Sequence, residues 1–271
     1  MTREEAEDIL TEAGQAQDDA FPLLEAAIAC AIHDRPFRDP SAVRTLAARA
    51  VERLRERAGV ESPEEALAET LSGELGLDGD LMDEGDLEVG DIIAVADRRR
   101  GLSAVLGVFY IHAGLACGLN VQGVDFPGHF LLRVDTREGP VAIDPFSQGR
   151  LVLPSELTRR ALRAGLTPAV ADRLDLLMAP INRRQSLVRL QDLLFIRAIR
   201  AGDYPAAEGA ALRKALLDPS DHRPWLDVAQ ARERQGALAG ALSALDQAKT
   251  VEGDFQARLR QVRERVRLRL N

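Results

Sequence analysis

The sequence predicts an α+β protein, and three observations carry that expectation. Residues Ser103 to Cys117 read as one helix that is apolar nearly all round, which is the pattern of a buried central helix. Short runs with strand character follow it at 120–125, 130–134 and 140–143, the last two joined by the turn Arg137-Glu138-Gly139. Residues 186–271 then read as helical throughout. A buried helix backed by an antiparallel meander, with helices before and after, is an α+β arrangement.

The bulk composition suits this. The 271 residues allow one large or two modest domains. Hydrophobic residues make up 46% and charged residues 29%, as in ordinary globular proteins, while aromatics reach only 4% in a chain dominated by helix-forming residues. The formal net charge of -8 argues against a nucleic-acid partner. Two cysteines and four histidines without close ligand spacing argue against a metal, and no cofactor is expected. Cys30 and Cys117 sit in apolar helical contexts, which suits reduced thiols. The N-terminus is acidic without a signal-peptide core, and no run approaches 18 apolar residues. The expectation is a cytoplasmic protein with no membrane contact.

In chain order, residues 3–13 are expected to be helical. Residues 21–32 form an apolar helix with Pro22 in its first turn, followed by a loop at 33–40 that contains His33. Ser41 is expected to cap a helix running to Ala58, and Ser62-Pro63-Glu64-Glu65 to open another reaching Gly73. Residues 1–75 would then form a helical support. The acidic stretch 74–90 fails as a calcium loop: starting from Asp78, Met82 falls where an oxygen ligand is needed and Asp83 where glycine is. It reads as a solvated loop. A short helix at 91–97 leads into Arg98-Arg99-Arg100, which is expected to pair with nearby carboxylates or to lie on a solvated face. After the buried helix and the meander come a short strand at 151–153, a helix from Pro154 to Ala164, and a single helix from Thr167 to Ala179.

The tail repeats. Ala201-Gly202-Asp203-Tyr204 returns as Gln235-Gly236-Ala237-Leu238, Ala207 as Ala241, and the end of the first unit, Asp218-Pro219-Ser220-Asp221, falls opposite Gly253-Asp254. A period of 34 residues with glycine at the turn between helices is the tetratricopeptide pattern. Such a unit cannot bury its face alone, so residues 186–271 would dock on the preceding domain and could offer a groove to a protein or peptide. The arginine-rich final helix, 255–270, reads as a cap with a solvated face.

Arg99-Arg100-Gly101 before the buried helix, Phe126-Pro127-Gly128-His129-Phe130-Leu131-Leu132-Arg133, and Ile143-Asp144-Pro145-Phe146 together resemble the transglutaminase-like core of bacterial SirB-type proteins. That likeness covers roughly 40–271 and includes repeats after the core. It implies a papain/transglutaminase-like core at 76–180. In the wider superfamily a cysteine at a helix N-terminus is paired with a histidine and an aspartate on adjacent strands. By motif, His129 takes the histidine position and Asp144 the aspartate. Ser103 stands where the cysteine would be, in keeping with a family that has no firmly established activity.

The physics of such a centre favours a thiol. A helix N-terminus lowers a thiol pKa far more usefully than that of an alcohol. Ser103 has three readings: an N-cap bonding the Val105 or Leu106 N–H, a nucleophile activated by His129, or a polar contact in a groove. Cys117 lies about 21 Å along the helix axis from it and cannot replace it. His129 could also be structural, bonded to Asp144. Two functions follow from these readings. One is a catalytically degenerate module that binds protein through the core and the repeats. The other is a hydrolase or acyltransferase using Ser103, His129 and Asp144. Oligomeric state is not legible.

Overall fold

The computed structural model describes residues 1–80, 86–248 and 254–270. Much of the acidic stretch, at 81–85, and the expected repeat end at Gly253 lie outside the described residues. The chain opens with α1 (Arg3–Gln15), α2 (Leu23–Asp34), α3 (Ser41–Arg57) and α4 (Pro63–Ala68), the last widening into a π-helical turn, Glu69–Glu74. Strand β1 (Asp78–Gly79) and a 3₁₀ turn (Leu87–Gly90) precede α5 (Ile92–Arg98) and β2 (Arg100–Gly101). The central helix α6 (Ser103–Ala116) leads into β3 (Val121–Phe126), β4 (His129–Thr136), β5 (Gly139–Asp144) and β6 (Arg150–Val152). Helices α7 (Pro154–Arg163), α8 (Pro168–Ala171) and α9 (Leu174–Leu177) follow. The tail is α10 (Arg183–Ala201), α11 (Tyr204–Leu217), α12 (Pro224–Arg234), α13 (Leu238–Gln247) and α14 (Asp254–Leu270).

Local chemistry sets several of these boundaries. Thr2 and Glu5 close a reciprocal capping box on α1, and Asn182 and Gln185 do the same for α10. The buried Asp91 carboxylate accepts from the Ile93 and Ala94 N–H groups, each at 2.9 Å, and starts α5. Other expected caps differ. Ser41 is the first helical residue of α3, and its hydroxyl bonds Asp39 instead of the helix. Ser62 does hold the N-cap position of α4 but makes no capping bond. His33 lies inside α2, not in a loop, because the helix runs on to Asp34. The single helix expected at 167–179 is two one-turn helices, since Arg173 (ψ 60°) leaves helical geometry between them.

The sheet is a meander in the order β3-β4-β5-β6, antiparallel throughout. Strand alternation sorts its side chains onto two faces. Phe130, Leu132, Val134 and Ile143 join the main core with α6 and helices α1–α3. Val124, Phe126, Leu131, Ala142 and Val152 pack on the other face against Leu157 and Ala161 of α7. Helix α6 comes so close to the sheet that a Cβ on Gly107 would stand 2.6 Å from Phe130 Cε1. The π turn and the parallel pairing of β1 with β2, Asp78 opposite Arg100, carried no signal in the sequence.

In the tail, consecutive helices pack on one another from α10 to α14. Gly202 and Gly236 turn the chain between α10 and α11 and between α12 and α13, at φ 74° and 79°. The first helix pair shares the main core through Leu187, Leu190 and Leu217, while α12–α14 close a second cluster around Leu226, Leu245 and Val262. Among the described residues no helix is long and apolar enough to cross a membrane.

Candidate functional site

Helix α6 begins at Ser103, and Leu102, not Ser103, is its N-cap. The Leu102 carbonyl takes the Leu106 N–H at 3.0 Å, and no side chain caps the helix. The half-buried Ser103 hydroxyl therefore does not serve the first turn as a cap.

His129 and Asp144 reach the other face of the sheet. His129 is paired with Phe126, which packs with Leu131 in the cluster under α7, and alternation carries His129 to that same face. Asp144 lies one step beyond the Leu132–Ile143 pair and shares the face of Leu131. Its carboxylate is buried and fully engaged: it accepts from the Phe146 N–H at 3.0 Å, from Ser147 Oγ at 3.1 Å and from Arg160 Nη1 of α7 at 2.8 Å. Among the described residues no hydrogen bond joins Ser103, His129 and Asp144 to one another. Metal ligation fares no better, since no group of three or more His, Cys, Asp or Glu side chains is placed for it among the described residues.

Electrostatics follow from that layout. His129 is an exposed residue, yet partial burial of its ring is the largest influence lowering its pKa. Arg160 lowers it further, and Asp144 opposes both. The arginine thus outweighs the aspartate at the imidazole. Arg160 also bonds Glu156, which Arg150 grips at 3.0 and 2.7 Å. These guanidinium groups, Arg150 first, hold the Glu156 carboxyl down to about 2.

Asp144 meets α6 away from its start. Tyr110, deep in the helix, donates to Ser72 Oγ at 2.8 Å, which in turn donates to the Leu77 carbonyl. Burial raises the Tyr110 pKa, and the Asp144 and Asp78 charges add to that. The Asp144 charge is therefore felt on α6 at Tyr110, two turns or about 10 Å along the axis from Ser103. Beside it, the short Pro145–Ser147 segment packs so tightly on β1 that a Cβ on Gly79 would stand 2.4 Å from the Phe146 carbonyl oxygen.

Sequence reasoning missed Arg160, Glu156 and Tyr110. A signal for Arg160 was present: it follows Leu157 by three residues and precedes Ala161, both buried, so helical spacing sets it at the edge of the buried stripe. The arginine cluster is closer to expectation. Arg98 pairs with Asp86 at 3.2 Å and Glu88 at 3.7 Å, and Arg100 with Asp78 at 3.9 Å. Arg99 instead turns the chain in the left-handed region. Cys30 is core, its thiol pushed up to about 12 by burial. His33 is buried too, bonding Glu7 at 3.1 Å and Arg213 at 3.5 Å.

Comparison with known proteins agrees with this core. The chain is 30% identical over 233 residues to a UPF0162 protein of Xylella fastidiosa strain Temecula1 / ATCC 700964, spanning 84% of this chain and 83% of that one. It is 29% identical over 234 residues to a UPF0162 protein of strain 9a5c, with the same coverage. No solved structure matches it significantly. Residues 40–192, more than half of the chain and including α6 and the whole sheet, match the family described as the Transglutaminase-like superfamily. On that match and the buried helix laid across an antiparallel sheet, the chain belongs to the transglutaminase-like superfamily.

Proposed function

We propose that the protein is a catalytically degenerate, SirB-type member of its superfamily that acts as a binding or regulatory module. The observation that carries this reading is the commitment of Asp144 to Arg160. A histidine base needs a carboxylate to fix its tautomer and stabilise its charged form. Here that carboxylate is neutralised by a guanidinium, and the same guanidinium disfavours the imidazolium. Serine at 103 adds to the argument, because an uncapped helix start activates an alcohol poorly. The working surface extends onto α10–α14, read as tetratricopeptide-like pairs that hold a protein or peptide partner. On that surface Ile196 and Ile199 of α10 are 43% and 38% exposed, an apolar pair one turn apart. The setting is the cytoplasm, where the two unpaired cysteines stay reduced.

A second reading, a serine hydrolase or acyltransferase, draws on one specific feature. No side chain caps α6, so amides of its first turn point outward beside Ser103 and could stabilise an oxyanion. One experiment separates the two. Under the first reading a fluorophosphonate probe leaves the protein unlabelled, and a partner cross-linked to the full chain is lost in Ile196→Ser/Ile199→Ser and retained in His129→Ala. Labelling that vanishes in both Ser103→Ala and His129→Ala overturns it in favour of the hydrolase.

A further inference from the structure

The outer face of the sheet holds a second feature, independent of the reading above. An apolar cavity of about 400 Å³ lies between β5 and β6 on one side and α7 and α9 on the other. Ala142, Val152, Leu157 and Met178 line it, and Leu153, which is 56% exposed, continues its apolar wall toward solvent. Neither Ser103, His129 nor Asp144 borders it.

One cation enters this lining. Arg133 stands opposite Ala142 in the β4–β5 ladder, so its side chain rises from the same face of the sheet. Its Nε is buried, and no described residue accepts a hydrogen bond from it. Asp135 Oδ1 forms a long ion pair with it at 3.6 Å, beyond hydrogen-bond distance, and the other oxygen of Asp135 accepts from Asn120 at 2.6 Å. The acidic group in the wall, Asp175, is clamped by Arg173 at 3.1 and 3.0 Å. The cavity therefore presents a guanidinium whose buried Nε has no hydrogen-bond acceptor beside an apolar volume. A buried N–H without an acceptor is costly, and a planar guanidinium fork matches a carboxylate. The volume falls within the range of small-molecule sites, which combine apolar walls with a few polar groups that fix orientation.

We propose that this cavity binds a medium-chain carboxylate, its tail against Leu157 and Met178 and its headgroup on Arg133. Methyl-resolved NMR titration of the full chain with decanoate, decanol and acetate tests it. Decanoate is expected to bind saturably and shift the Met178 methyl, and acetate not to bind. Decanol should bind about tenfold more weakly than decanoate, and Arg133→Met should weaken decanoate by a similar factor while leaving decanol unchanged. Met178→Trp, which fills the cavity, should abolish binding of both without touching the cation. The proposal is overturned if decanoate does not saturate, if folded Arg133→Met binds it as well as the parent chain, or if an apolar peptide with a free C-terminal carboxylate binds more tightly than decanoate.

Discussion

Arg160 decides how Asp144 is used. The pair is nearly dry, with side-chain exposures of 11% and 5%, and breaking such a pair strands a buried charge. Arg160→Met should therefore destabilise the fold by about 3 kcal/mol in urea unfolding. It should also raise the His129 pKa in an NMR titration, because the cation that lowers it is gone while Asp144 remains. An unchanged His129 titration would mean the ring does not sense this pair. His33 makes a second case. Burial first, then Arg213 and Arg3, lower its pKa from 6.5 to about 4, so the imidazole is neutral, with Nε2–H facing Glu7. The folded pKa lies below the unfolded one, so the unfolded chain binds the proton first. Stability should be fully present above about pH 6.5 and fall by roughly 3 kcal/mol as pH drops toward 4. His33→Gln should flatten that part of a urea-midpoint series against pH.

At the scale of elements, the helices of the two ends are clipped together by one side chain. The buried Arg184 donates to the carbonyls of Ala13, Gly14 and Ala16, near the end of α1, to Leu217 at the end of α11, and to Asp18. It thus serves carbonyls at the C-terminal ends of two helices. Arg184→Met should cost about 3 kcal/mol by chemical unfolding, since several buried carbonyls lose a charged donor. The helix turns of the tail are simpler. A Cβ at Gly202 or Gly236 would meet nothing within 4 Å, so alanine there should cost only the left-handed backbone penalty, about 1 kcal/mol each, seen as a small fall in Tm. The two glycines were legible because their spacing and their chemistry coincide. Arg184 was not: its partners lie more than 160 residues earlier and at the end of another helix, and no local pattern encodes such a contact.

At the scale of the molecule, one core runs from α1 through α6 and the inner face of the sheet to Leu217, and a smaller, alanine-rich cluster joins α12–α14. Alanine contributes little buried area, so the second cluster is the weaker. Hydrogen exchange followed by mass spectrometry should find α6 and β4 slowest, with α13 and α14 exchanging roughly tenfold faster or more. Equal protection across the chain would contradict that ordering.

Helix periodicity, the all-round apolarity of α6, the strand patterns and the tail glycines are local properties, and the sequence by itself determined them. It also placed Ser103 at the start of a helix, His129 at the start of a strand and Asp144 at the end of the next. The relation among the three was decided only by tertiary structure. Strand alternation carries His129 and Asp144 to the face that α7 covers, and α7 brings Arg160 to the carboxylate before any imidazole reaches it. A motif fixes which residues stand at which element ends. It does not fix which neighbour a buried charge meets, because that depends on helices packed from elsewhere in the chain.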